Sequence, residues 1–211
     1  MAPTILGDYW EAPCPRCGQP AYGTPLDLRE HQPADSQTPL APGGVLMVCS
    51  KEHTSVSVKE EPKVRGGSDH VVVCKFIGPR RWDIIVFRYP ADRSRKFAKR
   101  VVGLPGENLE IRDGAVWING KKLDPPEAIR GIHYSPTIVT SGQTFSGPGS
   151  VPVKLGPDEY FVLGDFVDAS SDSRLWEQGA PGHPPYAVPA SYIEGVVINI
   201  YWPISRWTSF R

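Results

Sequence analysis

The sequence predicts a mostly β, antiparallel protein: a partly closed β-barrel or sandwich with a small zinc-ribbon-like insertion and a β/loop cap. Gly 21 and Pro 23 of 211 residues exceed ordinary usage and favour short strands and many turns over long helices. Runs rich in β-branched and aromatic residues recur from Asp69 onward, two of them closed by Pro. Asp113-Gly114 and Asn119-Gly120 supply two-residue turns, and no stretch carries a convincing amphipathic helical period.

Residues 1–12 are short, mixed and begin abruptly. Residues 13–67 are turn-rich and weakly periodic, with only Val45–Val48 and Ser55–Val58 able to form strands, so this insertion needs outside help to fold. Strong strand signals start at Asp69 and define a core over 68–211. His70–Phe76 and Trp82–Tyr89 are the first two strands. Leu109–Arg112 and Ala115–Ile118 flank Asp113-Gly114 as a hairpin, with Lys121–Leu123 after the next turn. Residues 124–157, rich in Pro, Gly and Ser, form a cap, and Glu159–Leu163 and Tyr192–Trp202 close the chain.

Lys+Arg and Asp+Glu both number 23, so the net charge of zero excludes a protein that grips nucleic acid through a basic surface. Four cysteines are too few for a disulfide-framed miniprotein. No apolar run approaches the roughly 18–20 residues of a membrane span, and no signal-peptide pattern opens the chain.

Phe97-Ala98-Lys99-Arg100-Val101-Val102 places Phe97, Lys99 and Val101 on one strand face and Ala98, Arg100 and Val102 on the other. A lysine between apolar neighbours loses hydration, and its ammonium form is disfavoured. Roughly 0.04% of ordinary lysines are neutral at pH 7, so depression by a few units would yield a usable general base. A stem packed on the strand with its head in water fits the same pattern.

Lys99-Arg100-Val101-Val102-Gly103-Leu104-Pro105-Gly106-Glu107 closely resembles the lysine-bearing box of type I signal peptidases. Gly164-Asp165-Phe166-Val167-Asp168-Ala169-Ser170-Ser171-Asp172-Ser173-Arg174 is similar to that family's Gly-Asp…Ser-x-Asp-Ser-Arg box. Ser68–Phe76 and Arg81–Phe87 resemble the intervening strands, and Met1-Ala2-Pro3-Thr4-Ile5 resembles the stretch following the nucleophilic serine. These boxes run in family order from Met1 to about Trp202.

The resemblance implies a serine endopeptidase that removes N-terminal signal peptides from exported proteins with a Ser/Lys dyad, at the extracytoplasmic face of the membrane. It implies Lys99 as general base and Ser170 as the residue orienting its amine. Asp172 and Arg174 would form a supporting ion pair, and Asp165 would brace the turn. Catalysis would need no cofactor. The family's nucleophile would stand immediately before Met1, so the chain as written is expected to be an inactive remnant: a fragment starting at an internal Met, or a homologue without the serine. The abrupt start favours the fragment, and the family's N-terminal anchor would be missing with it. The partners implied are preproteins and the membrane surface, with no nucleic acid. A non-catalytic peptide-binding or scaffolding module of the cell envelope is the alternative. A self-cleaving repressor-type Ser/Lys fold is disfavoured because no DNA-binding segment is evident.

Cys14-Pro15-Arg16-Cys17-Gly18 has the C-x-x-C spacing of a zinc knuckle, with Gly easing the turn. Cys49 and His53 offer the second half, so Cys14, Cys17, Cys49 and His53 are the candidate ligands of a structural zinc. A reduced thiol pair, a disulfide from Cys49 to Cys14 or Cys17, and a decayed site are the alternatives. Cys74 suits a small core position. Trp202, Trp207 and Phe210, interleaved with Arg206 and Arg211, suit a membrane interface or packing of the tail. Trp82, Trp117 and Trp176 read as core aromatics, and His31, His133 and His183 as surface residues.

Overall fold

The computed structural model describes residues 1–7, 9–23, 45–51, 54–57, 63–65, 68–140 and 143–211. The chain divides into two compact units: Ala2–Asp69, and His70–Arg211 together with Met1.

The smaller unit is a five-stranded antiparallel sheet in the order β4-β3-β2-β1-β5. Its strands are β1 (Tyr9–Pro13), β2 (Pro20–Gly23), β3 (Val45–Cys49), β4 (Thr54–Ser57) and β5 (Lys63–Arg65). The turn between β1 and β2 is the C-x-x-C-G segment. Gly18 N–H donates to Cys14 O at 2.8 Å, Cys14 N–H donates to Gln19 O at 2.7 Å, and Gly18 has φ +71°. That left-handed value strains any residue bearing a Cβ, which is why glycine serves there. The register pairs Ala21 with Cys49. The buried cluster of this unit is Cys14, Ala21, Met47 and Cys49, with Trp10, Ala12 and Cys17 packed against it. Leu6 is tied to Asp69 by paired bonds: its N–H donates to the carboxylate at 2.8 Å, and its carbonyl accepts from Asp69 N–H at 2.7 Å.

Among its described residues the larger unit has three antiparallel sheets. One holds β6 (His70–Cys74), β7 (Ile84–Tyr89), β8 (Asp92–Gly103), β15 (Glu159–Leu163), β16 (Val188–Pro189), β17 (Ile193–Trp202) and β18 (Thr208–Ser209), with the path β16-β15-β8-β7-β17-β18 and β6 also on β17. A second runs β11 (Lys121–Lys122), β10 (Ala115–Ile118), β9 (Asn108–Arg112), β14 (Val153–Lys154). The third is the hairpin of β12 (Thr137–Thr140) and β13 (Gln143–Ser146). Among the described residues the largest sheet does not close on itself, in keeping with the antiparallel, only partly closed β architecture expected.

Asp113-Gly114 and Asn119-Gly120 turn as their sequence predicts, with positive φ at all four residues. Among the described residues no α-helix forms; helical backbone is limited to single 3-10 turns such as Glu127–Ile129 and Val167–Ala169. Trp82 is a local surprise. It precedes β7 at φ +71°, half-buried and stacked on Tyr134, so the strand starts two residues late. The 124–157 segment also contributes more core than a loop would, since Ile129, Ile132, Tyr134, Val153 and Leu155 are all buried. His183, expected at the surface, is half-buried, with its Nδ1 2.8 Å from the carboxylate of buried Glu159.

Two apolar clusters lie on opposite faces of β8 and β15. Val102, Phe161 and Leu163 belong to one, with Tyr134 and Trp82; Val101 and Val162 belong to the other, with Phe97 and Trp176. Alternate residues therefore enter different cores. Lys99 falls on the parity of Phe97 and Val101, and Arg100 on the parity of Val102. Both faces of this strand pair are buried.

Candidate active site

Strand β8 supplies Lys99, and the segment after β15 supplies its surroundings. The pairing of Leu163 with Arg100 brings the end of β15 beside the lysine. Lys99 Nζ donates to Ser170 Oγ at 2.8 Å. A Cβ on Gly164 would stand 1.9 Å from Ser170 Oγ and 3.4 Å from Lys99 Nζ. Amine and hydroxyl thus meet in the volume that any other residue would fill.

Burial of the amine lowers the Lys99 pKa below the ordinary lysine range; Asp172 and Asp165 oppose this, and Arg174 adds to it. The residue as a whole is half-buried, so one side of it stays accessible. The Met1 amino group is lowered to about 5, by burial first and by the charge of Lys99 second.

Two ion pairs surround the lysine, Asp172 with Arg174 and Asp165 with Arg100. Asp172 receives Arg174 through both carboxylate oxygens, at 2.9 Å from Nε and 2.7 Å from Nη2, and accepts Gly164 N–H at 2.9 Å. Arg174 also donates to the carbonyls of Ser135 at 2.9 Å and Val167 at 3.0 Å, so its guanidinium is satisfied while fully buried. Burial raises the Asp172 pKa, but the Arg174 guanidinium, the Lys99 charge and the Gly164 N–H together hold it below the usual carboxylate value. Ser173 Oγ accepts Val162 N–H at 3.0 Å and fastens the segment to β15.

Asp165 faces the other way. Arg100 grips it bidentately at 2.8 and 2.7 Å and donates its remaining arm to Trp82 O at 2.7 Å. Arg100 has no role in the sequence reading, although the strand alternation already placed it on an apolar face, where a guanidinium needs a carboxylate. Gly164 is likewise quoted in a box without a function. Tyr134, between these two pairs, buries a hydroxyl that has no hydrogen-bond partner among the described residues, and desolvation pushes its pKa far up.

The Gly103–Glu107 turn is structural. Leu104 N–H donates to Glu107 Oε2 at 2.8 Å, Glu107 also pairs with Arg81, and Arg81 donates to Val102 O at 2.7 Å. Of the candidate zinc ligands, Cys14, Cys17 and Cys49 hold their sulfurs within 4.8 Å of one another, whereas His53 lies outside the described residues. None of the four cysteines forms a disulfide, and Cys74 is half-buried in β6.

Two of the C-terminal aromatics, Trp202 and Trp207, are 52% and 62% exposed, with Ile204 between them at 75%. Phe210 is half-buried, and Arg211 pairs with Asp83 at 2.8 Å. No helix among the described residues is long and apolar enough to cross a membrane.

The sequence profile described as signal peptidase, peptidase S26, matches residues 40–202. A signal peptidase I of Leptolyngbya laminosa is 33% identical over 152 residues, covering 66% of this chain and 63% of its own. Those of Rickettsia typhi and Rickettsia massiliae are 32% and 34% identical over 121 and 119 residues. The chain spans under half the length of these two, since the match covers 45% of each. A crystal structure of a signal peptidase I from Enterococcus faecalis shares 30% identity over 57% of this chain and 97% of its own, with a TM-score of 0.42. With more than half of its residues inside one family profile, the chain belongs to the signal peptidase family.

Proposed function

We propose that this chain is the catalytic portion of a serine endopeptidase that removes N-terminal signal peptides from exported proteins, with Lys99 as general base for a serine joined to Met1. The observation that carries this reading is the contact between Lys99 and Ser170 at 2.8 Å, made by an amine whose pKa is lowered. A neutral amine has two N–H bonds and one lone pair. Directing one N–H at Ser170 fixes the lone pair toward a second hydroxyl, which is what a general base must do. The Met1 amino group feels the charge of Lys99, so a residue attached to it would begin within the lysine's electrostatic reach.

In this mechanism the serine oxygen attacks the scissile carbonyl carbon while its proton passes to Lys99 Nζ. The lysine then gives that proton to the departing amine, leaving an ester. Water, deprotonated by the same amine, releases the acyl group and restores the serine. Asp165–Arg100 holds the loop against the strand throughout, and Asp172–Arg174 holds the loop's own shape.

An extended substrate suits β8. Lys96–Lys99 pairs with β7 on one side, and no described strand of this unit covers the other side. That edge leads straight to the base and offers main-chain bonds to a preprotein. Strand β7 is a poor alternative, because Ile85–Phe87 lies between β8 and β17. Exposed Trp202, Ile204 and Trp207 suit seating at a membrane interface.

The test is cleavage of a preprotein by the chain extended with a membrane anchor and a serine before Met1. Cleavage is expected, with loss of activity on Lys99→Ala. Cleavage that survives Lys99→Ala, or none by the extended protein, overturns the reading; none at all favours a peptide-binding module.

A further inference from the structure

We infer that Cys14, Cys17 and Cys49 form a thiolate site for a structural zinc ion, and that this ion is part of the core of the smaller unit. The inference is independent of the peptidase reading and rests on three observations.

The first is sulfur spacing. Thiolates about 2.3 Å from a tetrahedral zinc stand about 3.8 Å from one another. Cys17 Sγ and Cys49 Sγ are 3.8 Å apart, and all three sulfurs lie within 4.8 Å. The sheet produces this convergence from separate places in the sequence. The tight turn at Gly18 points the first two thiols together, and the Ala21–Cys49 register sets the third beside them.

The second is chemical type. Three soft sulfur donors with no carboxylate in the group select zinc over magnesium or calcium, which require oxygen. The third is burial. Cys14 and Cys49 are buried, Cys17 is half-buried, and three of the four residues of the described buried cluster carry sulfur. The buried cluster of the described residues is small, and a metal bound by its sulfurs would add to the stability of the sheet. On binding, each thiol gives its proton to solvent and a sulfur lone pair to the cation, and no electron is transferred. One tetrahedral position is left for a further donor, which the described residues do not fix.

The experiment uses the whole chain purified without chelator. About one zinc per chain is expected. Exchange for cobalt should give thiolate-to-cobalt charge-transfer bands and the intense visible absorption of a tetrahedral centre. An alkylating reagent should reach the three thiols only after chelation. Cys14→Ser and Cys49→Ser should lower zinc content; since either variant can fail to fold, the cobalt spectrum of the unaltered chain decides. A chain that takes up no zinc overturns the inference. So do thiols that react freely with zinc present, or an intact mass showing a disulfide among the three.

Discussion

At the scale of single residues, the site depends as much on a missing side chain as on the lysine. Gly164 leaves the space in which Lys99 and Ser170 meet, and a methyl group there would sit 1.9 Å from the Ser170 hydroxyl. In the serine-extended protein, Gly164→Ala should therefore cut kcat by about a hundredfold, the usual cost of displacing a catalytic group by an ångström, with the fold kept. Steady-state kinetics beside circular dichroism would check it; unchanged kcat would show that Ser170 does not orient the base. Since burial lowers the Lys99 pKa, its neutral fraction, and activity with it, should rise with pH through a midpoint below the ordinary lysine value. The lysine could be picked out in the sequence because its box resembles that of the family; alternation put it between Phe97 and Val101 but left open whether its head lay in water. The importance of Gly164 could not, because a glycine records nothing of the atoms that crowd it.

At the scale of elements, the loop after β15 is held by ions where apolar packing would be usual. Asp172 and Arg174 are fully buried. Removing one partner strands the other, so Asp172→Ala should cost about 3–5 kcal/mol by urea unfolding at neutral pH. The pH dependence follows from its lowered pKa. The stabilisation is complete above the unfolded value near 3.8 and disappears as pH falls through the lower folded value. The variant should therefore lose less stability than the parent on acidification; equal losses would mean that the pair is not what acid breaks. The hairpin turns were legible from Asp113-Gly114 and Asn119-Gly120, whose left-handed backbone is a local property. The Arg100–Asp165 pair was not, because it joins residues 65 apart in sequence and only the β8–β15 register brings them together.

At the scale of the whole molecule, the family and the antiparallel β class were readable from ordered motifs and turn chemistry, but which strands stand at the edges was not. Closure depends on whether the end strands find each other, and no local signal reports that. The amphipathic end of the chain, where Trp202, Ile204 and Trp207 face solvent, should bind vesicles containing anionic lipid. Replacing both tryptophans with Ser should weaken the partitioning at least tenfold in a sedimentation assay; unaltered binding would assign membrane contact to another surface. The placement of β8 between two apolar clusters has a further consequence. A strand gripped on both faces cannot easily slide or tilt to meet a ligand, so the backbone from which Lys99 reaches its site is as fixed as the fold itself. Under the peptidase reading, adaptation to differing preproteins would come from the incoming peptide and from the rim around it, with the lysine's strand as a fixed anvil.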